Sequence, residues 1–200
     1  MAVIGFIGAI RKRGKPVSLF EKAAAALTPM EGQDDRADAR AKARSVARQG
    51  DILSLILDHH VQLEAAFDAV KSGRDALSRT DALKSLGVLL TGHAIAEEAA
   101  IYPAMAQSGE KAHAEHAYTE QATVKMQMAE LEKLDPMGRP FLDKLEAIRE
   151  AVAHHMYEEE GTWFPELIDA TSSADQAVMK DHYAEAFDRF VGEESTLATA

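Results

Sequence analysis

Four stretches of the chain place apolar residues three or four positions apart, a spacing typical of helices that bury one face. They predict helix A over residues 51–70, helix B over 81–105, helix C over 108–134 and helix D over 140–170. The breaks between these helices are short, which favours antiparallel neighbours. The pattern therefore predicts an all-α protein whose core is an antiparallel up-down four-helix bundle.

The residues on either side of helices A–D are expected to be additions to this bundle. The basic N-terminal extension contains a short predicted helix over 16–27. Residues 34–49 are rich in alanine and charge without an apolar stripe, so they form either a solvated helix or a flexible arm. An amphipathic helix over 173–191 is expected to pack on the outside. The expected divisions are the extension over 1–50, the bundle over 51–170, and a C-terminal helix and tail over 171–200.

A pair of polar residues occurs twice on the helical stripes. His93 and Glu97 are four residues apart in helix B, and His155 and Glu159 repeat that spacing 62 residues later in helix D. Four residues correspond to about 400° of rotation on a helix, so both side chains of a pair project from one face. Each pair can therefore present an imidazole and a carboxylate to the same point.

The repeat extends to the helix that precedes each pair. Asp58 and His59 lie in helix A, and Glu115 and His116 lie in helix C, so an acid followed by a histidine opens each half. A repeat of this length is typical of a duplicated supersecondary unit. Two copies of a helix pair predict a closed bundle with approximate twofold symmetry.

The polar residues on the stripes predict a metal site. Carboxylates buried among apolar groups are costly unless something compensates their charge, and metal ions would do so. Imidazole and carboxylate ligands without sulfur suit iron, manganese or zinc. Two ions could share both carboxylates. The predicted ligands are His59, His93, Glu97, His116, His155 and Glu159.

Other histidines and acids lie near the stripes, and the pattern leaves more than one role open for some of them. His60 and His154 adjoin predicted ligands but point about 100° away, so both are expected at the rim, although a small rotation of helix A would present His60 instead of His59. His113 and Glu120 lie on the same face as His116, and each is an additional ligand, a partner of a ligand or a polar group at the core edge. His182 is expected at the surface, and the residues expected either in a solvated acidic rim or as supports of a ligand are Glu98, Glu158 and Glu160.

Composition and charge narrow the choice of function. The 200-residue chain contains no cysteine, which excludes disulfides, iron–sulfur clusters and cysteine-ligated zinc. Residues 1–50 hold ten Lys/Arg and five Asp/Glu, which gives them a net charge of +5. Because the whole chain has a net charge of −11, residues 51–200 carry −16. An acidic body repels nucleic acid, so we expect no nucleic-acid partner.

The order of residues at the start of the chain bears on its location. Basic residues at 11–15 follow the apolar residues 1–10, whereas a secretory signal has its positive charge first. The apolar run is also too short to span a bilayer. We therefore expect a cytoplasmic protein without stable membrane insertion, whose basic extension could contact a protein partner or anionic lipid.

Residues 51–170 resemble the hemerythrin-like, or HHE cation-binding, domain family. The resemblance rests on the histidines and glutamates named above, on Tyr102-Pro103 after the first pair and on Phe164-Pro165 after the second. It implies a bundle around a non-haem di-iron site, with the four histidines as terminal ligands and Glu97 and Glu159 as bridges. The implied cofactor is two iron ions, Fe²⁺ or Fe³⁺, with an oxo or hydroxo bridge, while manganese and zinc are less favoured alternatives.

The resemblance also limits the function. Oxygen carriers of this family have a second histidine four residues before the helix C ligand and an aspartate on helix D, whereas this chain has Ala112 and Glu159. The pattern is more similar to bacterial members linked to peroxide, nitric oxide or iron handling. We expect a di-iron protein that binds dioxygen or reacts with small oxidants, with catalase-like peroxide breakdown as its enzymatic form. An iron- or gas-responsive sensor without turnover and an iron-storage role are the alternatives.

Overall fold

The structure, a computed structural model, describes the backbone of residues 31–197 and the side chains of residues 31–192. Within that part the chain is helical and contains no strand. The elements are α1 (Gln33–Val46), α2 (Ile52–Ser72), α3 (Ala76–Ser108), α4 (Lys111–Leu131), α5 (Arg139–Glu158), a π-helical turn (Glu159–Trp163), α6 (Phe164–Ala170) and α7 (Ser173–Leu197). The all-α prediction is confirmed for these residues.

The predicted helices correspond to these elements with small shifts at their ends. Helices A, B and C become α2, α3 and α4, and helix D divides into α5, the π-helical turn and α6. The alanine-rich stretch is helical as α1, which buries Ala39 and Ala43. The apolar residues 1–10 and the predicted helix over 16–27 lie outside the described residues.

Local capping residues explain where the long helices begin and end. Asp51 precedes α2 and its side chain accepts a hydrogen bond from the Ser54 amide at 2.7 Å. Asp75 does the same for the Ser78 amide at the start of α3. Gly109, with φ of 107°, ends α3 in the left-handed conformation that glycine adopts without strain. The predicted start of α2 agrees with the Asp51 cap, whereas α3 begins five residues before its predicted start and ends three residues after its predicted end.

The helices surround two apolar clusters. Helix α2 packs against α3, α3 against α4, α4 against α5, and α5 against α2. One cluster is centred on residues 52–57 and 96–105, and the other on residues 63–70 and 83–90. His60 and His93 lie between the two clusters in α2 and α3. The fold therefore places a buried polar layer between two apolar layers.

Helix α7 corresponds to the amphipathic helix expected over 173–191. It packs against α3 and α2 and buries Met179 and Tyr183. The close approach requires Gly92 in α3, because a Cβ atom there would lie 3.3 Å from ring atoms of Phe187 and Phe190. The apolar face of α7 thereby closes one side of the polar layer.

Among the described residues, none of the helices combines the length and the apolar character that crossing a membrane requires.

Candidate metal centre

Four buried side chains bring ligand atoms together between the two apolar clusters. We call them the inner cluster, which consists of His60 from α2, His93 and Glu97 from α3, and Glu159 from the π-helical turn. One ligand atom of each lies within 4.8 Å of the others. His93 Nε2 is 3.2 Å from Glu97 Oε1, and His60 Nε2 is 3.4 Å from Glu159 Oε2. This set of nitrogen and oxygen atoms is one that iron, manganese or zinc can use.

Three atoms of the inner cluster are buried without a hydrogen-bond partner among the described residues. They are His60 Nε2, Glu97 Oε1 and Glu159 Oε2. A buried polar atom left unpaired costs about 1–3 kcal/mol, and more when it is charged, so native proteins rarely leave several together. All three belong to residues whose ligand atoms converge on one point. The arrangement therefore fits a bound cation.

The same two carboxylates face a second group of polar atoms on their other side. Glu159 Oε1 lies 3.2 Å from His155 Nε2, and Glu97 Oε2 accepts hydrogen bonds from Tyr102 at 3.1 Å and from Gln121 at 2.7 Å. The Tyr102 hydroxyl is 3.2 Å from His155 Nε2. Each carboxylate thus presents one oxygen to His60 or His93 and the other towards His155 and Tyr102, which is what a carboxylate shared by two ions must do.

The position of His60 corrects the expectation that it lies at the rim. Its side chain is 0% exposed, and its Nε2 atom points into the inner cluster. His59, which the stripe pattern predicts as the ligand, instead lies against α7, with Nδ1 2.9 Å from the Tyr183 hydroxyl and its ring 4.2 Å from that of Phe187. Both histidines are buried, because α7 covers the face of α2 on which His59 lies and the inner cluster encloses His60. The structure groups His60 with the other inner residues and does not bring His59 to them.

His116 and His113 also lie apart from the inner cluster. The side chain of His116 is 51% exposed, and its Nε2 atom is 3.3 Å from Glu120. His113 lies 3.0 Å from Glu110 and stacks on Trp163. Glu120 is buried and bonds His155 Nδ1 at 2.8 Å, so it orients that imidazole. Of the six predicted ligands, the structure brings His93, Glu97, His155 and Glu159 together and leaves His59 and His116 outside.

Glu160 is buried rather than part of a solvated rim. The π-helical turn widens the helix at this point, and Glu159 and Glu160 both become buried, although adjacent residues of a regular helix differ by about 100°. Glu160 bonds His60 Nδ1 at 2.7 Å and accepts hydrogen bonds from Arg40 at 2.9 and 3.1 Å. Arg40 belongs to α1, so a residue of the N-terminal extension fixes the carboxylate that orients His60. This link was not predicted from the sequence. Its one indication there is an arginine within a stretch that is rich in alanine and charge and lacks an apolar stripe.

Protons compensate the buried charges when no cation is bound. Burial lowers the pKa of His60, but the adjacent carboxylates of Glu159 and Glu160 outweigh burial and raise the pKa to about 9. Burial and the nearby Glu159 raise the pKa of Glu97 to about 8, while His155 and His60 overcome burial and hold the pKa of Glu159 below its ordinary value. At neutral pH His60 is therefore charged and Glu97 is neutral. A metal ion must displace these protons, so its binding is coupled to their release.

Tyr183 of α7 connects two histidines. Its hydroxyl lies 2.8 Å from His93 Nδ1 and 2.9 Å from His59 Nδ1. If His93 Nε2 binds a metal, its proton is on Nδ1 and donates to Tyr183, which in turn donates to His59. Burial raises the pKa of Tyr183, so the hydroxyl keeps its proton at neutral pH. The apolar stripe around Met179 and Phe187 predicts that this helix packs, but not that its hydroxyl meets two imidazoles.

We expect Tyr183→Phe to weaken metal binding about 10–100-fold, the usual effect of removing a group that orients a ligand histidine. The ring remains and only the hydroxyl is lost, so the fold is preserved. Competition with a coloured chelator measures the affinity. Tyr118→Phe is the matched control, because the Tyr118 hydroxyl is exposed and donates only to the Glu98 carbonyl. An equal loss of affinity in both variants would contradict the orienting role.

Comparison with known proteins identifies one family. The family model described as the Hemerythrin HHE cation binding domain matches residues 51–167. Neither the curated proteins nor the solved structures gave a significant match. The matched span contains the whole inner cluster together with Tyr102, His155 and Glu120, whereas Arg40 and Tyr183 lie on either side of it.

Proposed function

The chain belongs to the hemerythrin HHE cation-binding family, and on that premise we propose that it is a non-haem di-iron protein that binds dioxygen or reacts with small oxidants such as hydrogen peroxide and nitric oxide. The observation that carries the proposal is the inner cluster, in which buried imidazoles and carboxylates converge and three of their ligand atoms are unpaired. The proposed setting is the cytoplasm.

The proposed fold is an antiparallel up-down bundle of α2, α3, α4 and α5. The first half of α2 packs with the second half of α3, and the second half of α2 with the first half of α3, as expected for antiparallel neighbours. His60, His93, Glu97 and Glu159 would hold one iron ion. The other oxygens of the two glutamates, together with His155, offer the position for a second.

An iron pair, when bound, supplies open coordination positions and redox chemistry that the side chains lack. The residues around it determine what can reach it. A cavity of about 30 Å³ borders His93 and His155. This volume is sufficient for one small molecule. Its other walls are mainly apolar and include Leu63, Leu90, Val124, Val152 and Met156. A small ligand fits such a space, whereas a large substrate does not.

Tyr102 is a proton donor beside the two carboxylates of the inner cluster. Burial and the neighbouring glutamates raise the pKa of Tyr102 well above its ordinary value, so its hydroxyl keeps its proton at neutral pH. It lies between Glu97, Glu159 and His155 at 3.1 to 3.4 Å. The hydroxyl can therefore donate a hydrogen bond to an oxygen atom of a small ligand held between the two carboxylates.

A sensor without turnover is the second candidate, and one contact favours it. Arg40 of the N-terminal extension bonds Glu160, and Glu160 bonds His60 of the inner cluster. A change in the charge or position of His60 on metal binding would thus act on the extension. Limited proteolysis of the full chain within residues 31–50, with and without iron, tests this role. Identical cleavage would argue against it.

Iron loading of the full-length protein tests the leading proposal. We expect about two iron ions per chain after anaerobic loading, and absorption bands that change when the iron is oxidised and when peroxide, dioxygen or nitric oxide is added. Peroxide consumption with dioxygen release would establish the catalase-like form. If the loaded protein shows neither turnover nor a ligand-dependent spectrum, the proposal fails. Zinc or no metal in protein purified without added metal would indicate a structural role for the bundle.

A further inference from the structure

A second group of ligand-type side chains lies on the solvent side of Glu120. His116 Nε2 is 3.3 Å from Glu120 Oε1 and 3.4 Å from Glu158 Oε2. The three residues, which we call the outer cluster, each offer one ligand atom within 4.8 Å of the others. His116 and Glu120 are one turn apart on α4, and Glu158 is the last residue of α5. The outer cluster shares no residue with the inner cluster.

In the outer cluster, the carboxylate oxygens that face His116 accept no hydrogen bond from the described residues. Glu120 is 5% exposed, and its Oε1 atom has no hydrogen-bond partner among the described residues, although its Oε2 atom bonds His155. Glu158 Oε2 is likewise buried and unpaired. Within the described part of the chain, no lysine or arginine forms an ion pair with either carboxylate, and their basic neighbours are histidines. Two carboxylate oxygens and an imidazole nitrogen thus converge, and neither oxygen accepts a hydrogen bond from the described residues.

We propose that the outer cluster is a separate binding site for one divalent transition-metal cation. One imidazole nitrogen and two carboxylate oxygens suit Fe²⁺, Mn²⁺, Zn²⁺ or Co²⁺. Because the His116 side chain is half exposed, a cation reaches it directly from solvent, and water completes its coordination. The buried Glu120 supplies the fixed ligand, and the exposed His116 closes over the cation. The site does not depend on iron in the inner cluster.

The imidazole of His155 connects the outer cluster to the inner cluster. Glu120 holds His155 Nδ1 through its second oxygen, and His155 Nε2 lies 3.2 Å from Glu159. A cation on Glu120 Oε1 withdraws negative charge from the oxygen that orients His155. Occupation of the outer site therefore acts on the inner ligands through an existing hydrogen bond.

Manganese binding to the full-length, chelator-treated protein tests the proposal, with electron paramagnetic resonance counting free and bound Mn²⁺. We expect Glu158→Gln and His116→Ala each to bind one Mn²⁺ per chain fewer, or to bind it at least about tenfold more weakly, because loss of a direct ligand costs no less than loss of a supporting group, whose effect is about 10–100-fold. The number of other ions bound should be unchanged. Glu115→Gln is the matched control, since Glu115 is exposed and pairs only with Lys111.

Each outcome decides the proposal. A loss in both variants and not in Glu115→Gln supports it. Unchanged binding in either variant, or an equal loss in the control, overturns it. In particular, a loss in His116→Ala alone would place His116 among the inner ligands, as the family resemblance implies. If the inner cluster binds no metal, His60→Ala will bind as many ions as the unaltered protein. The number of ions bound by His60→Ala therefore distinguishes a failure of the inner site from a failure of the outer site. Thermal unfolding of every variant verifies that it folds.

Discussion

His60→Ala is expected to abolish metal binding at the inner cluster, whereas His59→Ala is expected to retain it. His60 Nε2 is fully buried, unpaired and directed at Glu159, so its removal leaves the first ion without one of four ligands. His59 faces Tyr183 and contributes only by accepting from its hydroxyl. We expect at most about a tenfold weaker affinity for His59→Ala, the low end of the effect of a supporting group. Iron per chain after loading and desalting is the measurement.

Neighbouring histidines make this a matched comparison. The two variants remove the same side chain from adjacent positions of one helix, and both positions are buried, so general destabilisation affects both. Circular dichroism of the iron-free proteins confirms that each retains its helices. Loss of iron in His59→Ala with normal iron in His60→Ala would show that the predicted stripe, with His59 inward, is correct and that the inner cluster is not.

Glu159→Ala and Glu97→Ala are both expected to lose at least one ion, because each glutamate has one oxygen on each side of the site. Their effects on the iron-free protein should differ. Glu159 is ionised and offsets His60 and His155, so its removal leaves buried charge and costs about 3–5 kcal/mol of stability. Glu97 is neutral at pH 7, and its removal leaves Tyr102 and Gln121 unpaired, at about 1–3 kcal/mol.

Urea unfolding in the presence of a chelator measures the two stability losses, and metal analysis measures the iron content. His154→Ala is the control, since His154 bonds Glu31 and lies outside the inner cluster, so it should keep its iron. Equal iron loss in all three variants would refute the inner cluster. A larger stability loss for Glu97→Ala than for Glu159→Ala would contradict the assigned protonation states.

The pairs His93–Glu97 and His155–Glu159 illustrate what a sequence can determine about a site. Four residues on a helix fix the relative direction of two side chains, whatever surrounds the helix. The structure places each imidazole 3.2 Å from the carboxylate one turn later. The start of α2 followed for the same reason, since the aspartate cap at Asp51 acts over three residues.

The choice between His59 and His60 illustrates what a sequence leaves open. Adjacent residues of a helix point about 100° apart, and either can face inwards if the helix rotates slightly. Here both are buried, because α7 covers one and the inner cluster encloses the other. The same limitation applies to Glu160, whose burial depends on the π-helical turn and on Arg40, 120 residues earlier in the chain.

The amino-acid sequence by itself determined the helices, the family and the two pairs of ligand-type residues, because these depend on periodicity and on contacts within a single helix. Only the tertiary structure decided that His60, rather than His59, lies with the inner residues, that His116 lies in an outer cluster, and that Tyr183 and Arg40 reach the histidines. Those features depend on how far each helix rotates and on which distant helix covers it, and packing against neighbours fixes both quantities.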